Sequence, residues 1–258
     1  MQNASTASPV RVRLEHLAIV LHKPRSPENI GAAARAAKNM GLHRLILVRP
    51  EVLDWERMLK MATIGAADLI DNLTIYEDLG TALGPFQYIV GTTARLGGVR
   101  QGVISPRELA AKLIDSSQRN HIALVFGPEN WGLTNQELTY CHTLVSIPTA
   151  PFRSLNLAQA VLILAYEIYL ACGDRPAASI PRLANSWELE SMYALLQETL
   201  VRINYIGRQN PAHWMRNIRR FFSRHGLREW EVQVIKGICR QIDWYGRRRL
   251  EDRLKKQD

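Results

Sequence analysis

The sequence predicts an α/β domain, a mainly parallel sheet with helices on both faces, followed by a small helical extension. Three observations carry this. Six short apolar runs alternate with helical or polar segments from residue 16 onward. Periodicity breaks at Gly173-Asp174-Arg175-Pro176 through Pro181. Beyond that break the basic charge rises sharply.

HLAIVLH (16–22) reads as a buried strand, and the Ala-rich stretch from Glu28 to Met40 as a helix that Gly41 ends with a left-handed residue. RLILV (44–48), NLTIY (72–76), QYIVGT (87–92), HIALVFG (121–127) and HTLVSIP (142–148) supply five more strands. Pro106–Ser117 is helical, and Ser154–Cys172 closes the domain as a long helix with Leu157, Val161, Leu164 and Ile168 on one face. Residues 1–15 read as a flexible tail, 16–173 as the α/β domain, 174–186 as a linker and 187–258 as the extension. Within the extension, Trp187–Arg202, Pro211–Arg224 and Arg228–Tyr245 are helical, and Pro211 suits a first helical turn. The charge-dense tract Arg247–Lys256 is the one that composition assigns to partial disorder.

Composition excludes several classes. At 258 residues, 47% apolar and 22% charged, the chain is neither disordered nor fibrous. Cys141, Cys172 and Cys239 form no CxxC pair and argue for a reducing compartment. The opening MQNASTASP has no apolar core, and Ala160–Tyr166 is too short to span a bilayer, so a cytoplasmic protein without membrane partners is expected. No His pair or acidic cluster suggests a metal.

The net charge of +9 is unevenly placed. Residues 1–175 hold 17 Lys and Arg against 15 Asp and Glu; residues 176–258 hold 16 against 9, a net of +7. Basic residues there alternate with aromatics, as in His213-Trp214-Met215-Arg216 and Arg219-Arg220-Phe221-Phe222. This pattern points to nucleic acid, although charge alone does not separate RNA from DNA. Met215, Ile218 and Phe222 share a core face, while Arg216, Arg220 and Arg224 repeat every four residues on the expected RNA-facing surface.

In an α/β domain the loops after the strands carry ligand chemistry. Neither GxGxxG after the first strand nor GxxxxGK[ST] anywhere is found, which disfavours a dinucleotide fold or a P-loop. PENIGAAAR follows the first strand, with Asn29, Gly31 and Arg35; LVFGPENWGL (124–133) spans the end of the fifth; IPTAPFRSLN (147–156) follows the sixth. Together these three blocks resemble the motifs NxGxxxR, FGPExxGL and IPxxxxxSLN of the SpoU class of SPOUT RNA methyltransferases, and the resemblance covers residues 16–172. The basic extension, with LQETL (196–200) and MRNIRRFFSR (215–224), is similar to that of the TrmJ-type tRNA 2′-O-methyltransferases.

That resemblance implies a C-terminal trefoil knot, a homodimer, S-adenosylmethionine as methyl donor without metal, and tRNA rather than DNA as partner. The implied target is the first nucleotide of the anticodon loop (position 32, C or U). By motif, the cofactor-binding residues are Thr92, Thr93, Ala94, Phe126, Gly127, Gly132, Ile147, Ser154, Leu155 and Asn156; the catalytic set is Arg35, Ser154, Asn156 and Asn29, with Arg35 serving the partner subunit's site. Gly127 and Gly132 would let backbone amides approach adenosine closely. Ser154 is also a natural cap for the long helix. Glu129 could order the cofactor loop, contact a partner subunit or face water, and Trp131 sits at a variable position of its motif. Two other functions remain open at this level: the same reaction on ribosomal RNA, and a non-catalytic RNA-binding protein on this scaffold. Members of that class acting on ribosomal RNA usually place an RNA-binding domain before the catalytic one, whereas about fifteen residues precede the first strand here, so tRNA is the expected substrate.

Overall fold

The computed structural model describes residues 10–95, 102–151, 154–173, 181–207, 209–223 and 226–254, which fall into two compact units, Met1–Pro181 and Arg182–Asp258. The first unit begins with β1 (Val10–Arg11) and a 3-10 turn, Leu14–His16, then enters β2 (Leu17–His22). There follow α1 (Pro27–Asn39), β3 (Leu45–Val48), α2 (Trp55–Ala62), α3 (Ala67–Asp71), β4 (Thr74–Tyr76), α4 (Leu79–Leu83) and β5 (Tyr88–Thr92). The unit is completed by α5 (Pro106–Ser116), β6 (Ile122–Phe126), a 3-10 turn at Glu137–Tyr140, β7 (Thr143–Val145), α6 (Leu157–Leu170) and β8 (Cys172–Gly173).

Six strands form one parallel sheet in the order β4-β3-β2-β6-β5-β7. The period of two sorts their side chains. Leu17, Ile19, Leu21, Ile122, Leu124 and Phe126 join the core under α1, α2, α5 and α6; Ala18, Val20, Ala123 and Val125 join a smaller core with Leu79, Leu83 and Phe86 around α4. Helices therefore cover both faces, unequally. The small residues of α1 have a packing cause: Ala33, Ala34, Ala36 and Ala37 are buried, and a Cβ on Gly31 would lie 2.1 Å from the Met58 carbonyl oxygen of α2. Ser26 caps this helix, and Gly41 leaves it at φ +72°.

Three expectations about element limits are corrected. The expected tail is structured from Val10: β1 pairs with β8, Val12 is buried, and the Arg13 amide donates to Ser117 Oγ at 2.9 Å. The long closing helix starts at Leu157, not Ser154, because Asn156 is its N-cap. The expected linker ends early: Ala184 is buried and its amide donates to the Leu227 carbonyl at 2.7 Å, while residues 174–180 lie outside the described residues.

The second unit packs α7 (Ser186–Arg202), α8 (Pro211–Ser223) and α9 (Glu229–Leu254) around Leu189, Met192, Tyr193, Met215 and Val232. α9 carries the tract beginning at Arg247 in helical form through Leu254, and Arg248 stacks 5.0 Å above the Trp244 ring. Among the described residues no helix is long and apolar enough to cross a membrane.

Candidate active site

Parallel strands put every carboxyl end at one edge of the sheet, where β2, β6, β5 and β7 lie side by side. The loops after β5, β6 and β7 enclose a cavity of about 700 Å³ there. Thr92 to Arg95 form one wall, Phe126 to Leu133 a second, and Val145 to Thr149 with Ser154 and Leu155 a third, while Leu157 and Ala160 of α6 close it below. Of the ten expected cofactor-binding residues, nine line this cavity; Asn156 does not.

The β6 loop folds back on itself. The Gly132 amide donates to the Pro128 carbonyl at 2.8 Å, and Gly132 has φ +63°. A Cβ on Gly127 would lie 2.4 Å from both Gly132 C and Leu133 N. Gly127 is thus needed for the loop to close on itself, whereas Gly132 is needed for its left-handed backbone. Arg95 clamps the returning segment, donating from Nη2 to the carbonyls of Trp131 (2.7 Å) and Leu133 (3.2 Å). The Thr92 hydroxyl is committed to the Val125 carbonyl at 3.0 Å, which ties the β5 wall to β6. Trp131 stands half exposed at the rim.

The three motif blocks are joined by a chain of side-chain hydrogen bonds. Asn156 Nδ2 donates to Asn29 Oδ1 at 2.8 Å, and Asn29 Nδ2 donates to Glu129 Oε1 at 2.7 Å. Glu129 also accepts the Arg25 amide at 3.1 Å. Asn156 Oδ1 meanwhile accepts the amides of Ala158 (2.8 Å) and Gln159 (3.4 Å), capping α6. One asparagine therefore fixes the start of α6 and, through Asn29, the β6 loop. Glu129 belongs to the loop-ordering alternative. Ser154, free of the capping duty that sequence offered it, lines the cavity as an exposed residue.

Arg35 is exposed on α1, has no hydrogen-bond or ion-pair partner among the described residues, and does not line the cavity of its own chain. Nearby α6 is apolar almost all round, and Leu162, Tyr166, Tyr169 and Leu170 are exposed on it. Two further residues near the loops have no signal in sequence. His22, at the end of β2, is buried with Nε2 2.7 Å from Glu137 Oε1, and Glu137 Oε2 accepts the Thr134 amide at 2.7 Å. Burial pushes His22 below its ordinary value; burial pushes Glu137 up, but the Thr134 amide and His22 outweigh it and hold the carboxyl low. Among the described residues no group of three His, Cys, Asp or Glu could hold a metal.

In the second unit, Arg216 and Arg220 lie on α8 away from its core face, and Arg224 lies outside the described residues. Arg219 is different: it pairs with Glu190 and sits 4.4 Å above the Tyr193 ring, so it is committed to the fold.

Residues 16–166 match the SpoU rRNA Methylase family, and residues 187–256 match the C-terminal domain of the tRNA methyltransferase TrmJ. The tRNA (cytidine/uridine/adenosine-2'-O-)-methyltransferase TrmJ of Pseudomonas aeruginosa is 37% identical over 239 residues, covering 87% of this chain and 93% of that one. The tRNA (cytidine/uridine-2'-O-)-methyltransferase TrmJ of Pectobacterium atrosepticum is 37% identical over 235 residues, covering 89% and 97%. Among solved structures, TrmJ from Z. mobilis ZM4 superposes with a TM-score of 0.77 at 28% identity, covering 88% of this chain and 98% of that one.

Proposed function

The chain belongs to the SpoU rRNA Methylase family, and from that premise we propose that it transfers a methyl group from S-adenosylmethionine to a ribose 2′-OH of tRNA, at the first nucleotide of the anticodon loop (position 32, C or U). The observation that carries this reading is the convergence of the loops after β5, β6 and β7 on one cavity, with Asn29 of the first motif block tied to the other two blocks through Glu129 and Asn156. The tRNA half rests on the match of residues 187–256 to the TrmJ C-terminal domain and on the +7 charge of that region.

The cavity suits the cofactor. Its size is that of a small-molecule site. Phe126, Val145, Ile147 and Leu155 offer an apolar bed for adenine, and the hydroxyl of Ser154 offers hydrogen bonds to polar ends, whereas the Thr93 hydroxyl is engaged with the Arg95 backbone. When bound, S-adenosylmethionine supplies an electrophilic methyl. Ser154 orients groups at the cavity mouth, and Asn29 and Asn156 act as positioning residues that hold the loops around it. Arg35 stabilises the developing alkoxide electrostatically. A guanidinium has five donors, no acceptor and a pKa above about 12, so the proton passes to a phosphate or to solvent rather than to Arg35.

Arg35 performs this role in the cavity of a partner subunit. Two features support a homodimer: the isolation of Arg35 from its own cavity, and the exposed apolar face of α6. A trefoil knot through the β7–α6 region belongs to the same reading, by family resemblance. Tritiated-methyl transfer to bulk tRNA followed by nucleoside mapping tests the proposal. The expected product is 2′-O-methylcytidine or 2′-O-methyluridine at position 32. Labelled ribosomal RNA with unlabelled tRNA would overturn the substrate, and no transfer with no cofactor binding would overturn the activity.

A further inference from the structure

Between α2 and α3 the chain passes through one strained residue. Thr63 has φ +60° and ψ 171°, a region that glycine alone enters without cost and that suits a β-branched side chain least. The strain is pinned from both sides. The Thr63 amide donates to the Leu59 carbonyl at 3.0 Å, and the Ala66 amide donates to the Thr63 carbonyl at 3.2 Å. What this turn presents is Ile64, the first residue of the 3-10 turn Ile64–Ala66, which stands 97% exposed. Beside it a Cβ on Gly65 would meet nothing within 4 Å, and Met61 is itself 39% exposed. Strain that holds an aliphatic side chain in water serves nothing within one chain.

The turn lies level with Arg35. Contacts between α1 and the segment 57–68 climb in step: Arg57 pairs with Glu28, a Cβ on Gly31 would sit 2.9 Å from Met61 Cβ, and Lys38 donates to Asp68 at 2.5 Å. Arg35 falls between the last two, about 40° round the helix from Gly31 and about 60° from Lys38. The Ile64–Ala66 turn packs directly on α1. α1 also packs against α6, so both neighbours of the Arg35 helix expose apolar side chains.

We propose that Ile64 is an apolar peg that seats on a second copy of this chain and sets the register in which Arg35 enters that copy's cavity. The proposal rests on the homodimeric methyltransferase reading above and deepens it. Location selects the occupant. Arg35 has no partner among the described residues and does not line the cavity of its own chain, so whatever it reaches is met by Ile64 as well. Chemistry agrees. Ile64 has neither charge nor hydrogen bond to offer a phosphate backbone, whereas an arginine among exposed aliphatic and aromatic side chains has the composition of a protein interface. A pinned turn suits the task, because an error of about 1 Å in placing a catalytic group is costly. Ile64 is thus a positioning residue: it touches neither cofactor nor ribose and acts through Arg35.

The test uses the full chain, with sedimentation equilibrium for assembly and tritiated-methyl transfer to tRNA for activity. Ile64→Asp alters a side chain that its own chain leaves uncovered, so urea stability should match wild type. Its dimer dissociation constant should rise about tenfold or more, the loss expected when one aliphatic side chain is no longer buried. Turnover per chain should fall at dilute protein and rise again with protein concentration. Where Ile64→Ala and wild type are both fully dimeric, the variant should show a lower kcat with KM for tRNA and for S-adenosylmethionine within about twofold. Ile64→Leu keeps the apolar volume and should assemble and turn over as wild type. Wild-type assembly and turnover in Ile64→Asp would overturn the peg, and so would equal losses in Ile64→Leu and Ile64→Asp. Weakened tRNA binding with unchanged assembly would give the turn to RNA and overturn it too. Unchanged kcat in dimeric Ile64→Ala would remove the register role. A wild-type chain that is monomeric yet active would overturn the partner-site role of Arg35 together with the peg. A dimeric wild type without methyl transfer would overturn the activity instead, and sedimentation of Ile64→Asp would still decide the peg.

Discussion

Replacing Gly127 with alanine tests whether loop closure shapes the cavity. The new Cβ would sit 2.4 Å from Gly132 C and Leu133 N and 2.9 Å from Gly132 Cα. Non-bonded carbon contacts are comfortable only from about 3.5 Å, so the two sides of the loop must separate by about 1 Å. None of the obstructing atoms belongs to a flexible side chain that could swing away. A shift of that size takes the Gly132 amide, 2.8 Å from the Pro128 carbonyl, out of hydrogen-bonding range and disturbs the Arg95 clamp. Overpacking of this kind costs about 1–3 kcal/mol. Expressed wholly in the cofactor complex, that weakens binding about 5- to 150-fold. Calorimetry with S-adenosylmethionine reads the affinity, and urea denaturation reads how much of the cost falls on the fold. Gly127→Val, with a larger side chain against the same backbone atoms, should be worse than Gly127→Ala. Wild-type affinity in Gly127→Ala would refute the reasoning.

Arg35→Ala should abolish methyl transfer while cofactor affinity stays within about twofold, and mixing it with an Asn156→Ala chain should restore about one working site per heterodimer; no recovery would place the whole site in one chain. Asn29→Ala removes a part-buried hydrogen bond to a carboxylate, a kind worth about 1.5–3 kcal/mol, and should weaken cofactor binding. Asn29→Asp should be worse, because it sets a second carboxylate against Glu129, and the reverse order in calorimetry would remove the relay from the site. Burial lowers the pKa of His22 and His121 and pushes His142 down to about 4. Such a group binds protons better in the unfolded chain, so stability should fall as pH drops below about 6.5 and continue falling toward the folded values. His142→Asn, whose carbonyl can still accept the Ile89 amide, should flatten that slope in urea titrations; an unchanged slope would contradict it.

The six sheet strands were legible as short apolar runs: β2, β3 and β6 are buried on both faces, whereas the edge strands β4 and β7 are only partly covered, and the order in sequence matches the observed elements from Leu17 to Val145. What sequence hid was short or weakly patterned. α2 buries only Met58 and Ala62, α3 and α4 have five residues each, and β1 with β8 is a two-residue pairing. At the site, the motif spacing brought nine residues to the cavity wall. It could not choose between Ser154 and Asn156 as helix cap, since both side chains can accept an N-terminal amide. Nor could it join Asn29 to Glu129, which are 100 positions apart. On α8 the four-residue arginine spacing was visible, but the pairing of Arg219 with Glu190 depends on how α7 packs.

The strand order also dictates the sequence of events during synthesis. β6 lies between β2 and β5 but follows both in the chain. As the polypeptide emerges, β2, β3 and β4 can pair as neighbours with α1 and α2 already packed against them. The free edge of β2, Leu17–His22, then waits for its partner while about a hundred further residues are made. An apolar, fully extended edge in that interval is a template for pairing with another nascent chain. Substitutions in Ile122–Val125 would therefore appear first as insoluble protein during expression, while the molecules that do mature retain a normal turnover. The vulnerable period ends when Phe126 reaches Leu21, and the loop that walls the cavity begins at the very next residue.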